Sequence, residues 1–139
     1  MMSHDNRRQV LMAFDYGSRR VGVALALPAE PPQPLTTLER DSGFARALKN
    51  LIAKHRPDII IVGRPRNLDG EMTAQTHRAE QFARQLRSDY DIKVVLSDEA
   101  LSTERARERL SGMSRQAEKR LLDQIAAQII LEDYLNETK

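Results

Sequence analysis

Three carboxylates in this chain stand where surface solvation explains them poorly. Asp15 ends the apolar run Val10–Phe14 and precedes Tyr16 and Gly17, at a turn where a phosphate can approach the backbone. Glu99, beside Asp98, follows a second apolar run, Ile92–Leu96. Asp123 lies in a long helical pattern and shares a face with Ala126, Ala127, Ile130 and Tyr134. An isolated charge on such a face is costly, so Asp123 needs a partner, and either a metal ion or an arginine would serve. Plainer readings stand beside these. Asp15 could serve its own turn by accepting amide hydrogen bonds, and one acid of the Asp98–Glu99 pair could cap the next helix or offset its dipole.

Three oxygen-donor acids converging at one end of a sheet suit Mg²⁺ or Mn²⁺, hard ions that prefer oxygen ligands. Two such ions, about 3.5–4 Å apart, can activate water and stabilise the leaving oxygen of a phosphodiester without a side-chain nucleophile. Basic residues follow the same places: Arg19 and Arg20 after Asp15, Arg64 and Arg66 after the run Ile59–Val62, Arg105 and Arg109 beyond Glu99. Of the 22 basic residues 17 are arginine, whose planar fork grips phosphate, although a formal net charge of +2 does not by itself argue for nucleic acid. Arg105 and Arg109 alternate with Glu104 and Glu108, the pattern of a solvated helix face, whereas the turn and loop arginines are harder to dismiss.

Other chemistries lack their residues. There is no cysteine, which excludes thiol nucleophiles and cysteine-held zinc or iron–sulfur centres. His4, His55 and His77 are scattered, and no serine–histidine–acid pattern emerges. No apolar run approaches the ~20 residues of a membrane span, and MMSHDNRRQV has no secretory character, so a cytoplasmic protein with no membrane role is expected.

The elements that must position the acids read as α/β. Val10–Phe14 and Val21–Leu27 form a hairpin, the four prolines of Pro28–Pro34 exclude regular structure, and Leu35–Leu38 adds a short strand. Apolar residues at 44, 47, 48, 51 and 52 predict a helix ended by Pro57. Ile59–Val62 is a strand covered on both faces, and Gly63–Gly70 a loop. Residues 79, 82, 83 and 86 mark a second helix, Ile92–Leu96 a strand that Ser97–Glu99 leave, and Ser102 or Thr103 the cap of a helix to Leu110. Ser111 and Gly112 break the chain before a last helix, Gln116–Leu135. The order gives one mixed sheet with helices on both faces in a single domain spanning 1–139, with a core at about 10–135. Ligands of such sheets bind outside the carboxyl ends of the parallel strands, which carry Asp15, Gly63–Pro65 and Asp98–Glu99.

Four ordered motifs, DYGSRRVGVA at 15–24, VGRPRNLDG at 62–70, DEALST at 98–103 and DQIAAQIILEDYL at 123–135, resemble the YqgF/RuvX family of the ribonuclease H-like superfamily. Members are described as Holliday junction resolvases or pre-16S rRNA nucleases. The resemblance implies a five-stranded ribonuclease H-like sheet, metal ligation by Asp15, Glu99 and Asp123, and places for Arg20 and Gly22 in the hairpin signature. Ala100 stands where the family usually has arginine, and Arg64 where it usually has leucine.

The expectation is therefore an endonuclease using Mg²⁺ or Mn²⁺ on structured nucleic acid, either RNA or branched DNA. A symmetric four-way junction must be cut on two strands, which a homodimer does most simply, though no pattern here demands one. Two other readings use related features. An ATP-binding domain of the actin and sugar-kinase type also begins with D-x-G and a hairpin, but needs a second lobe to enclose nucleotide. A non-catalytic nucleic-acid-binding or ribosome-assembly module could use the same fold, yet would gain nothing from acids facing phosphate.

Overall fold

The structure, a computed structural model, describes residues 8–65, 72–99, 102–112 and 114–138. Among the described residues five strands and four helices follow one another as β1 (Leu11–Tyr16), β2 (Arg20–Ala26), β3 (Gln33–Glu39), α1 (Phe44–His55), β4 (Ile59–Pro65), α2 (Ala74–Asp89), β5 (Lys93–Glu99), α3 (Ser102–Arg109) and α4 (Arg115–Glu137). They form one sheet in the order β3-β2-β1-β4-β5. β1, β2 and β3 are antiparallel neighbours, while β4 and β5 run parallel to β1. The expected five-stranded mixed sheet with helices on both faces is thus what forms. Among the described residues no helix is long and apolar enough to cross a membrane.

Alternation along the central strand decides which residues meet which layer. Met12 and Phe14 enter a core shared with Leu48 and Ile52 of α1 and with Phe82, Ala83 and Leu86 of α2. Leu11 and Ala13 face the other way, onto Ala127, Ile130, Leu131 and Tyr134 of α4. The β-branched run of β4 divides likewise: Ile60 and Val62 join the first core, Ile59 and Ile61 the second. Asp15, two residues beyond Ala13, therefore falls on the α4 face.

Several boundaries differ from the sequence reading, among them the hairpin, whose strands are Leu11–Tyr16 and Arg20–Ala26 where Val10–Phe14 and Val21–Leu27 were expected, so that Asp15 and Tyr16 pair within the sheet. β3 begins at Gln33 and includes Pro34, because β3 is an edge strand whose proline has no obligation to donate outward. β4 runs on through Gly63, Arg64 and Pro65, and β5 through Ser97, Asp98 and Glu99. These two tails were expected to leave the sheet, but they pair with one another in register, Gly63 with Ser97 and Pro65 with Glu99, so the backbone groups of each satisfy those of the other. The return to α2 is fixed by a capping box in which Thr73 and Thr76 exchange side-chain and backbone hydrogen bonds, while the buried Thr76 hydroxyl also donates to the carbonyl of Pro65. Residues 66–70 of the expected loop lie outside the described residues.

Candidate active site at the carboxyl end of β1

The turn after Asp15 is built to stay shut. Gly17 N donates to Arg20 O at 2.9 Å, and a Cβ on Gly17 would stand 2.7 Å from that oxygen. Arg40, at the end of β3, donates through Nη1 to the carbonyls of Gly17 and Ser18, each at 3.1 Å. Its guanidinium lies 4.4 Å from the centre of the Tyr16 ring, and Tyr16 stacks on Phe82 at 4.2 Å. The residues on either side of Asp15 are therefore immobilised by Phe14 in the core and Tyr16 in this stack.

Two glycines then bring the last helix down onto the sheet. Gly22 is the cross-strand partner of Asp15, and a Cβ on it would lie 1.9 Å from the carbonyl oxygen of Asp123. No side chain larger than hydrogen fits there, so the α4 backbone rests directly on β2. On β4, a Cβ on Gly63 would meet Ile130 Cδ1 at 2.3 Å. The helix seats at both points, and Asp123 arrives beside Asp15. Gln124 and Gln128 fasten the same helix to the edge, donating to Thr37 Oγ1 and Pro32 O at 3.0 Å each.

The two acids differ in what surrounds them. Arg20 Nε donates to Asp123 Oδ2 at 3.0 Å, so the arginine partner foreseen for an acid on this face is present. Among the described residues no cation pairs with Asp15. Burial first, and then the neighbouring Asp123 carboxylate, push the Asp15 carboxyl from 3.8 up to about 7. The site thus holds more potential negative charge than its own cation offsets.

Glu99 ends β5, and its side chain lies outside the described residues. Its backbone can be placed: it continues β5 and pairs with Pro65 of β4. It lies two strands from β1 at the same end of the sheet. Asp98 is on the face away from α4, where Arg64 Nε donates to it at 2.6 Å. Among the described residues no three acids or histidines are gathered closely enough to hold a metal. The donors that are described, Asp15 and Asp123, supply only carboxylate oxygens in a charge-deficient setting, which fits a hard divalent cation.

The arginines separate into two kinds. Arg20 opens β2 and holds Asp123, and Arg19 is exposed in the β1–β2 turn before it. Arg64 was expected near the same site, but strand alternation turns it to the other face, where Asp98 and Glu80 hold it, the latter from Nη1 at 2.9 Å. Arg105 makes a two-pronged pair with Asp133 at 2.8 and 3.3 Å, and Arg109 pairs with Glu132 at 2.7 Å, joining α3 to α4. Arg66 lies outside the described residues.

Arg40 and Glu80 went unnoticed in the sequence. Nothing in local spacing marks either residue, because each acts across elements: Arg40 on the β1–β2 turn and Glu80 on β4. The packing role of Gly22 did have a signal, a glycine inside an apolar strand, which implies close approach by another backbone.

Residues 9–137 match the family described as RuvX, Holliday junction resolvase. A protein of Methylobacillus flagellatus named "Putative pre-16S rRNA nuclease" is 36% identical over 134 residues, covering 93% of this chain and 92% of the relative. Thermus thermophilus RuvC in complex with a Holliday junction substrate superposes with a TM-score of 0.57 at 13% identity, covering 93% of this chain and 96% of RuvC. The Fowlpox virus resolvase in complex with Holliday junction DNA gives a TM-score of 0.52 at 9% identity, covering 92% and 97% of the two chains. Those two likenesses establish a ribonuclease H-like fold, and the sequence match over nearly the whole chain establishes the rest: this chain belongs to the RuvX (YqgF) family.

Proposed function

We propose that this chain is a cytoplasmic endonuclease that hydrolyses phosphodiester bonds in structured nucleic acid, with Asp15, Glu99 and Asp123 holding Mg²⁺ or Mn²⁺. The observation that carries the reading is the meeting of Asp15 and Asp123 at the carboxyl end of β1, forced by the missing side chain of Gly22. A pair of acids with this much unmet charge is an unfavourable way to build a core and a favourable way to hold cations. One or two bound divalent ions would supply the positive charge that activates water and stabilises the leaving oxygen. The chain's own groups do the remaining work. Arg20 holds one oxygen of Asp123, the clamped turn keeps Asp15 in place, and the exposed Arg19 of that turn offers a cation for the phosphate backbone. Arg64, Arg105 and Arg109 reach a phosphate only by giving up a carboxylate, and Arg66 completes the expected basic set.

The physiological substrate follows one of two lines. The curated relative's name favours 5′-end processing of pre-16S rRNA, and the family description favours Holliday junctions. Purified protein and an Asp15→Asn variant, incubated with labelled pre-rRNA leaders and four-way junctions under Mg²⁺ and Mn²⁺, test both. Cleavage of one substrate by the wild type, abolished in the variant, is the expected result, and equal cleavage by both proteins overturns the assignment of Asp15. Counting nicks per junction and light scattering at assay concentration then separate the substrates, since coupled nicks require a dimer and RNA trimming needs only one site.

A further inference from the structure

The face of the sheet opposite the acids carries a groove between α1 and α2 of about 440 Å³, in the range of small-ligand sites. Tyr16, Arg40, Phe44, Arg78, Gln81 and Phe82 line it. We propose that this groove binds an unpaired stretch of the nucleic-acid substrate, with Arg40 and Arg78 receiving its phosphates. The proposal rests on the nuclease reading and adds to it a preference for single-stranded character beside the cleavage point.

Charge is the first argument. Arg40 Nη1 is engaged by two backbone carbonyls, which leave its charge intact, and its Nε and Nη2 make no hydrogen bond among the described residues. Arg78 pairs with no carboxylate among the described residues, and its Nε has no acceptor among them. A guanidinium with no acid partner beside an open groove suits a phosphate ligand. The groove's acid is Asp89, which already accepts from Gln85 Nε2 at 2.9 Å and lies about 16 Å along α2 from Arg78. The end of the groove nearest the turn is therefore cationic.

Shape and position give the second argument. Arg40, Tyr16 and Phe82 form a continuous stack, with the guanidinium outermost on Tyr16. Both faces of Tyr16 are occupied, so a base would lie on the guanidinium plane or against Phe44, surfaces that accept any base. Tyr16 follows Asp15 directly, and the turn that Arg40 clamps is the one beside the acids. A strand leaving the acid site around residues 17–19 meets Arg40 first and the groove next.

The test is binding, read by fluorescence anisotropy with labelled, unstructured RNA and DNA of about 12 nucleotides, in EDTA so that no cleavage intervenes. Gln81 is exposed on α2, so Gln81→Glu and Gln81→Lys change charge in the groove without disturbing packing. Gln81→Glu and Arg78→Gln are expected to weaken binding about fivefold, Gln81→Lys to strengthen it, and Arg78→Gln to lower the salt slope by ~0.7. Thermal melting of each variant identifies any that misfold, and the Gln81 pair decides the matter if Arg78→Gln does. Wild-type affinity and slope in the Gln81 variants, or no single-strand binding by the wild type, overturns the proposal. Loss of cleavage in Asp123→Asn alongside unchanged binding in the groove variants removes the groove and leaves the nuclease reading. Groove-dependent binding without cleavage under either metal does the reverse.

Discussion

Arg20 Nε and Asp123 Oδ2 meet at 3.0 Å across 103 positions of sequence, joining the first hairpin to the last helix. One cation thereby serves a site with two described carboxylates. Arg20 sits on the Asp123 side, and Asp15 is left to adjust its own protonation. A purely structural ion pair would have no need of the second acid.

That imbalance predicts how the metal-free protein responds to pH. The Asp15 carboxyl is raised from 3.8 to about 7, so between those values the folded state holds a proton that the unfolded state has released. Stability then falls as pH rises through this window and stays low above it, each unit being worth at most ~1.4 kcal/mol. Asp15→Asn removes the effect. In EDTA the variant is expected to be more stable than the wild type at pH 8 by on the order of 2 kcal/mol, and to differ little at pH 4. Urea denaturation at both pH values checks this, and equal stability at pH 8 would mean that Asp15 ionises there without strain.

Gly22 gives a geometric prediction. A methyl group at this position would lie 1.9 Å from the Asp123 carbonyl oxygen and 2.7 Å from its Cβ, contacts that only a shift of α4 relieves. Gly22→Ala is expected to cost at least about 2 kcal/mol and to displace Asp123 from Asp15. Thermal melting measures the cost. The pH dependence of stability should weaken in parallel, since the repulsion raising the Asp15 carboxyl depends on that proximity.

Element order was legible in the sequence because burial on one or both faces writes period 2 and period 3.6 directly into the apolar residues, as in Ile59–Val62 and the helix Phe44–His55. The ends of β4 and β5 were not. Gly-Arg-Pro and Ser-Asp-Glu carry turn chemistry locally, and only their mutual pairing keeps them in the sheet. The same error placed Arg64 with the acids: once position 64 is in a strand, alternation assigns it to the face of Val62 and not of Gly63. Asp15 and Asp123 were found because each was anomalous in its own segment. Arg40 was ordinary in its own, and only tertiary contact makes it a clamp.

The last prediction sorts the arginines by what they already hold. Arg19 is exposed in the β1–β2 turn and makes no ion pair among the described residues, whereas Arg105 and Arg109 are each held by a carboxylate of α4. A phosphate contact is read in the salt dependence of nucleic-acid binding, whose slope changes by ~0.9 for each phosphate lost on duplex. A partly exposed ion pair is read instead in stability, at about 1 kcal/mol or less. Arg19→Ala is therefore expected to weaken junction or leader binding, flatten its salt slope by about one charge and leave the melting temperature unchanged. Arg105→Ala is expected to lower the melting temperature by a few degrees, because the two-pronged pair that joins α3 to α4 is lost, and to leave the slope near wild type. Arg64→Leu, which installs the residue usual in the family, should behave like Arg105→Ala, since Glu80 and Asp98 lose their shared cation on the face away from Asp15. A flattened slope in Arg64→Leu would show that the phosphate path crosses that face after all, alongside the groove between α1 and α2.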